Sequence, residues 1–163
     1  MSRTNVTPHA AVLQHLRVLY VEDSVDDREV FRVLFEQGGA EVTTAGSVRE
    51  ALDAFDNVQP ELIVSDIGLP DADGYTLIRA IRGRSPEGGG RTPAIAVTGW
   101  GREQDRRSAL DAGFEEHLAK PVAFQSLLDT IHRFGRRIEE ARSLRRELPA
   151  ARRRERGGRG AGR

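Results

Sequence analysis

The chain is predicted to be an α/β protein, a doubly wound parallel sheet of five strands with five helices covering both faces. Three observations predict it. The run Leu62-Ile63-Val64-Ser65-Asp66 is short, branched and apolar, ends on an acid and breaks at once into Ile67-Gly68-Leu69-Pro70, which is how a strand buried on both faces reads. Val18-Leu19-Tyr20-Val21 before Glu22-Asp23, Ala94-Ile95-Ala96-Val97 before Thr98, and His117-Leu118-Ala119 before Lys120-Pro121 repeat that arrangement. Between these runs lie stretches with apolar residues at helical spacing, so the strands are joined by crossovers and run parallel.

Residues 1–15 carry no sustained period and read as a flexible lead-in. The first strand covers about 17–22. The first helix follows Ser24 over about 26–37, with Val30, Phe31, Leu34 and Phe35 as its apolar face, Asp26 and Asp27 at its positive start and Gly38-Gly39 as its stop. Residues 41–45 alternate apolar and polar, as an edge strand does, and Ser47-Val48-Arg49-Glu50 is a capping box that opens a helix with Val48, Leu52 and Phe55 on one face. The third strand is 62–66. Asp73-Gly74 opens a helix through Arg82 that buries Tyr75, Leu77, Ile78 and Ile81. Residues 83–92, with a proline and three consecutive glycines, form a surface loop; the Gly-Lys-Ser/Thr that a phosphate-binding P-loop requires is missing there. A strand over 93–98, a helix over about 102–112 ended by Gly113, and a strand over 116–120 complete the sheet. The last helix starts near Val122 with Phe124, Leu127, Leu128, Ile131 and Phe134 inward, and the spacing Ile138, Ala141, Leu144 and Leu148 extends it past Gly135 to Pro149. The folded domain is therefore placed at 16–136. A basic tail follows over 137–163, helical to 148 and then Arg/Gly/Ala low complexity that is disordered.

With 163 residues and no cysteine, one domain plus tails is expected, and disulfides, thiol catalysis and zinc–thiolate sites are excluded. The histidines at 9, 15, 117 and 132 lack metal-ligand spacing, and neither a membrane span nor a signal-peptide core is present, so a soluble cytoplasmic protein is expected. The net charge of zero conceals an asymmetry: residues 133–163 hold 12 Arg against 4 Glu, and the rest of the chain is acidic. Of 25 basic residues only Lys120 is a lysine. A compact ammonium on a thin stem is thus singled out at a strand end.

Strands of an open parallel sheet present their functional groups at their carboxyl ends, so Glu22, Asp23, Asp66, Thr98 and Lys120 are expected to meet at one edge. Three gathered carboxylates repel one another unless one is protonated or a divalent cation sits among them. We favour the cation. Mg²⁺ takes oxygen ligands and keeps several waters; Asp23, Asp66 and the backbone carbonyl of Gly68 would supply protein oxygens, with Glu22 acting directly or through water. Phosphate suits the remaining positions, and the Lys120 ammonium and Thr98 hydroxyl would hold two further phosphoryl oxygens. That leaves Asp66 as the oxygen nucleophile.

On Val21-Glu22-Asp23-Ser24, Val64-Ser65-Asp66-Ile67-Gly68-Leu69-Pro70 with Asp73-Gly74, Val97-Thr98-Gly99 and Leu118-Ala119-Lys120-Pro121, the chain resembles the receiver domain of bacterial two-component response regulators over about residues 16–136. The resemblance implies a flavodoxin-like sheet in the order 2-1-3-4-5 and a cis Lys120–Pro121 bond. It further implies Asp66 as phosphoacceptor, Glu22 and Asp23 as the acidic pair for Mg²⁺, Thr98 as switch hydroxyl, Lys120 as phosphate-binding amine, and a histidine kinase or histidine phosphotransfer domain as phosphodonor. The fourth helix, fifth strand and fifth helix would carry the signal to a protein target. His117 stands where that family usually places the Tyr or Phe of its switch, Gly68 offers no side chain two residues after the acceptor, and Trp100 lies between glycines where the fourth helix begins. Two other readings stay open at this point. One is a phosphorylation-independent scaffold whose Arg-rich tail binds nucleic acid or an acidic partner. The other is a haloacid-dehalogenase-like phosphatase, which wants a second Asp where Gly68 stands.

Overall fold

A computed structural model describes residues 10–99 and 103–146. The first nine residues, Trp100, Gly101 and Arg102, and everything from 147 onward, including Pro149 and the low-complexity stretch, lie outside the described residues. The elements are β1 (Arg17–Val21), α1 (Val25–Gln37), β2 (Glu41–Ala45), α2 (Val48–Val58), β3 (Leu62–Asp66), α3 (Gly74–Arg82), β4 (Ala94–Thr98), α4 (Glu103–Ala112), β5 (Glu116–Ala119), α5 (Phe124–Arg133) and α6 (Gly135–Arg146), with 3-10 turns at Ala10–Leu13 and Pro86–Gly88. All pairings are parallel and the order is β2-β1-β3-β4-β5, the flavodoxin-like arrangement expected.

The two-residue period of a strand divides the core cleanly. Leu19, Val21, Ile63, Ala94 and Ala96 pack on one face with Ala51 and Phe55 of α2, Leu77, Ile78 and Ile81 of α3, and Ala109 and Ala112 of α4. Val18, Tyr20, Leu62, Val64, Ile95 and Val97 pack on the other with Phe35 of α1 and Leu127 and Ile131 of α5. Every residue of β3 and β4 is buried, as central strands of a covered sheet require. Glu22, Asp66 and Lys120 share the alternation of Val18 and Tyr20, of Leu62 and Val64, and of Leu118, so the α1–α5 side of the sheet carries them to its carboxyl edge together.

Two expectations about the helices need correction. Val30 is 55 % exposed and does not belong to the inner face of α1, which turns Phe31 and Phe35 toward the sheet instead. The last helix is also not continuous. It ends at Arg133; Phe134 (φ −89°, ψ 0°) stands between helices, and α6 begins at Gly135, which makes six helices rather than five. Phe134 is buried at that joint in the same cluster as Ile138, so burying both apolar side chains turns the chain instead of letting it run on.

α6 lies against the amino-terminal end of the sheet, held by buried Ile138, by an ion pair of Arg137 with Glu115 at 3.8 Å and by a polar clamp at Glu61. Arg142 donates to Glu61, whose carboxylate also accepts the backbone N–H of Arg17 at 3.1 Å. Burial alone pushes the Glu61 carboxyl up, but the hydrogen bonds from Arg142 and Arg17 and their positive charges outweigh it and hold it below the ordinary glutamate range. A depressed folded-state value means stability that is present above the ordinary value of about 4.3 and lost as pH falls through the lowered one. Acid is therefore expected to detach α6, seen as loss of its amide NMR signals, before the sheet melts. Arg142→Met should lower stability by about 1–3 kcal/mol in urea unfolding, because it leaves a buried acceptor short of a donor. Among the described residues no helix is long and apolar enough to cross a membrane.

Candidate functional site

The carboxyl edge of the sheet assembles four charged groups. Glu22 follows β1 and is 2 % exposed, Asp66 closes β3 at 8 %, and Lys120 follows β5. The Lys120 Nζ donates to Glu22 Oε2 at 2.6 Å and to Asp66 Oδ2 at 2.8 Å, spanning the strands between them. Exposed Asp23 joins the pair, so that Glu22, Asp23 and Asp66 each offer an oxygen within 4.8 Å of the others. Thr98 is buried at the end of β4, and its carbonyl accepts the Lys120 backbone N–H at 2.8 Å. The structure thus brings the side chains of Glu22, Asp23, Asp66 and Lys120 together, and joins Thr98 to Lys120 through its backbone. Gly68 sits at the rim, exposed, and a Cβ built on it would meet nothing within 4 Å.

Burial pushes the Glu22 carboxyl above its ordinary range, while the Lys120 hydrogen bond and the Ser24 N–H pull the other way without cancelling it. For Lys120, burial pulls downward, but the hydrogen bonds to Asp66 and Glu22 hold the amine above its usual value. One ammonium faces three carboxylates. Oxygen-only donors gathered this closely, with an excess of negative charge, fit a hard divalent cation that keeps part of its water, and Mg²⁺ is the physiological ion of that kind.

Local structure holds these groups in place. Ser24 caps α1 by accepting the Asp27 N–H at 3.3 Å, and Arg28 one turn later donates to the Glu22 carbonyl at 2.9 Å. The Asp66 Oδ1 accepts the Gly68 N–H at 3.1 Å. Gly74 begins α3 so close to β3 that a Cβ there would lie 2.5 Å from the Asp66 carbonyl oxygen, so only glycine lets that helix approach. Asp73 caps α3 through the Thr76 N–H at 2.8 Å. Ser47 and Glu50 form the expected capping box, with the return bond going to the Gly46 N–H. Two contributors were not read from the sequence, Arg28 and Asp71. The Asp71 carboxylate accepts the N–H groups of Arg49 and Val48, each at 2.9 Å, and those bonds hold it below the ordinary carboxylate range while tying the loop after Asp66 to the start of α2. No local pattern signals a partner more than twenty residues away.

His117 pairs with Ala96, so its side chain lies on the α3–α4 side of the sheet, the same side as Thr98 two residues beyond Ala96. It is 9 % exposed, which is more buried than a strand histidine at the rim, and its Nε2 has no hydrogen-bond partner. The Lys120–Pro121 peptide bond is cis, as the resemblance implied.

A family model for the response regulator receiver domain matches residues 18–132. The chain belongs to the receiver family. This receiver is 38 % identical over 122 residues to an uncharacterized 14.6 kDa protein of Leptolyngbya boryana, an overlap of 75 % of this chain and 92 % of that one. It is 36 % identical over 110 residues to the KDP operon transcriptional regulatory protein KdpE of Escherichia coli, an overlap of 68 % of this chain but only 47 % of KdpE. Among solved structures it resembles the receiver domain of the sensor histidine kinase PA1611 of Pseudomonas aeruginosa, determined with a magnesium ion coordinated in its active-site cleft: 30 % identity, TM-score 0.67, 74 % of this chain and 98 % of that one. The receiver match stops before α6, and the docked α6 lies beyond the part of the chain that the family model describes.

Proposed function

We propose that this receiver is the phosphoacceptor of a two-component phosphorelay, taking a phosphoryl group on Asp66 from a histidine kinase or histidine phosphotransfer domain in the cytoplasm. The observation that carries the reading is the pairing of the Lys120 ammonium with Glu22 and Asp66 beside a third carboxylate, Asp23, Lys120 Nζ lying 2.8 Å from Asp66 Oδ2. An Asp66 oxygen attacks the phosphorus of phosphohistidine; a P–O bond forms as the P–N bond breaks, and the imidazole nitrogen keeps the electron pair and takes up a proton. Asp23, Asp66 and the Gly68 carbonyl, with Glu22 directly or through water, would hold Mg²⁺. When bound, it supplies positive charge beside the transferring oxygens. Lys120 neutralises a further oxygen, and the Thr98 hydroxyl binds another. The chain acts as a signalling domain whose product is its own modified state, not as a turnover enzyme.

Incubation with acetyl phosphate and Mg²⁺ is expected to add one phosphoryl mass to the intact protein and none to Asp66→Asn; the same adduct on the variant would contradict the reading.

The partner face follows from α1. The large apolar side chains exposed on the described residues are Val25, Val30 and Val33, at 66, 55 and 38 %, all on the helix that starts beside Glu22 and Asp23. A donor helix laid along α1 would cover them while its phosphohistidine reaches Asp66. Burying one valine contributes about 1.5 kcal/mol, roughly tenfold in affinity. Val30→Asp should therefore slow transfer from the donor protein at least tenfold and leave the reaction with acetyl phosphate unchanged. Equal slowing of both reactions would place the defect in the site and not in docking.

A further inference from the structure

We propose that Asp71 is a positioning residue for the cation: its carboxylate fastens the loop between β3 and α3 to the first turn of α2, and that fastening sets where the Gly68 carbonyl stands relative to Asp23 and Asp66. The inference rests on the reading of this edge as a Mg²⁺-dependent phosphoacceptor site.

A helix leaves its first N–H groups without partners of its own. In α2 the account closes. The Ala51 N–H reaches the Ser47 carbonyl at 3.0 Å and the Glu50 N–H reaches the Ser47 Oγ at 3.1 Å, while the two that remain, Val48 and Arg49, donate to Asp71 Oδ1 and Oδ2, each at 2.9 Å. The local sequence supplies its own cap, so a second acceptor brought from 23 residues away is more than the helix needs. Two parallel bonds, one to each oxygen, fix direction as well as distance, and the positive start of the helix favours the carboxylate. The Arg49 and Val48 N–H groups hold Asp71 below the ordinary carboxylate range, which keeps it ionised at neutral pH. The helix is the fixed partner: Val48, Ala51 and Phe55 are buried in the core, whereas in the loop Gly68, Pro70 and Asp71 are exposed and Leu69 and Ala72 are half-buried. The fastening therefore constrains the loop.

At its root the loop is closed by the Gly74 N–H on the Ile67 carbonyl at 2.8 Å and by a bridge between Gly68 and Asp73. Nothing would meet a Cβ on Gly68 within 4 Å, so packing does not direct its carbonyl; the bonds at the root and tip of the loop do. The turn that opens α2 also holds the acidic pair. The Glu22 N–H donates to the Ala45 carbonyl at 3.0 Å, and Arg28 reaches the Glu22 carbonyl across Gly46, where a Cβ would overlap the guanidinium. Both ligand-bearing segments are thus referred to one turn, and cutting the Asp71 bonds releases one of them. Groups that orient metal ligands cost about 10–100-fold in affinity when removed; for an exposed clamp at the tip of the loop the lower figure is expected, equivalent to a loop in place about a tenth of the time.

The test follows the amide NMR shifts of Asp23 and Gly68 as Mg²⁺ is titrated into the full chain, for the parent, Asp71→Ala, Asp71→Asn and Ser47→Ala. Asp71→Ala is expected to weaken Mg²⁺ binding about tenfold, and Asp71→Asn, which keeps one acceptor oxygen, by less. Ser47→Ala removes the other cap of the same turn, so it should lower the melting temperature comparably and leave Mg²⁺ affinity within about twofold of the parent. With acetyl phosphate, Asp71→Ala should need about ten times more Mg²⁺ for half-maximal rate and reach the parental rate at saturation, a split that a partly unfolded protein does not show. Parental Mg²⁺ affinity in both Asp71 variants, or equal losses in Asp71→Ala and Ser47→Ala, overturns the proposal and leaves Asp71 a helix cap. Asp71→Asn carries the comparison should the Ala variant fold poorly. Shifts absent from the parent would instead sink the Mg²⁺ reading and the inference with it.

Discussion

Lys120→Arg is expected to slow phosphorylation of Asp66 by about a hundredfold or more while leaving Mg²⁺ affinity nearly unchanged. Removing one correctly placed donor to a developing oxyanion costs about 10²–10³ in rate, and the arginine keeps the charge but not the geometry. The Lys120 Nζ fits between Glu22 Oε2 and Asp66 Oδ2 at 2.6 and 2.8 Å, a gap suited to a point donor and too narrow for a planar fork. Twenty-four of the 25 basic residues are arginine, so the exchange asks the chain to use its prevailing cation where it uses another. Initial rates with acetyl phosphate, followed by intact mass, check it. A variant that reacts like the parent would mean that charge alone is needed.

Asp23→Asn should abolish most of the Mg²⁺ response. A site that binds the folded state only stabilises it by about 2.7 kcal/mol at a hundred times the dissociation constant. For a domain of this size that corresponds to a rise of about 5–11 °C in melting temperature. Asp23 is the exposed member of the three carboxylates, so its amide should leave the fold intact and remove a ligand; Mg²⁺ should then raise the melting temperature of the parent by several degrees and that of Asp23→Asn by far less. Equal shifts in the two proteins would remove Asp23 from the metal site. Sodium chloride at matched ionic strength serves as a control for nonspecific screening.

The strands and the edge residues were legible because each rests on a local pattern. A buried run ending on Asp66, and the two-residue alternation that puts Glu22 on the side of Val18 and Tyr20, need no knowledge of the tertiary fold. Helix faces were less secure. Val30 has the apolar character and helical spacing of a core residue, but Phe31 and Phe35 fill the space beneath α1 and leave it outside. The helical spacing through Ile138 was right, yet the break at Phe134 was not visible, since it follows from where two buried side chains must point and Gly135 tolerates many conformations. The bonds of Asp71 to α2 and of Arg142 to Glu61 join residues distant in sequence, 23 and 81 positions apart, and no local pattern records them. The burial of His117 depends on its register opposite Ala96, which only the assembled sheet defines.

The account stands on Asp66 as the atom that receives the phosphoryl group, and chemical trapping tests that most directly. After brief treatment with acetyl phosphate and Mg²⁺, borohydride reduces an aspartyl phosphate to homoserine, which peptide mass spectrometry assigns to one residue. Homoserine at position 66, absent without Mg²⁺ and absent from Asp66→Asn, is the predicted result. Reduction product at Asp23, or a stable phosphoryl group on a histidine or hydroxyl side chain with position 66 unchanged, would contradict it.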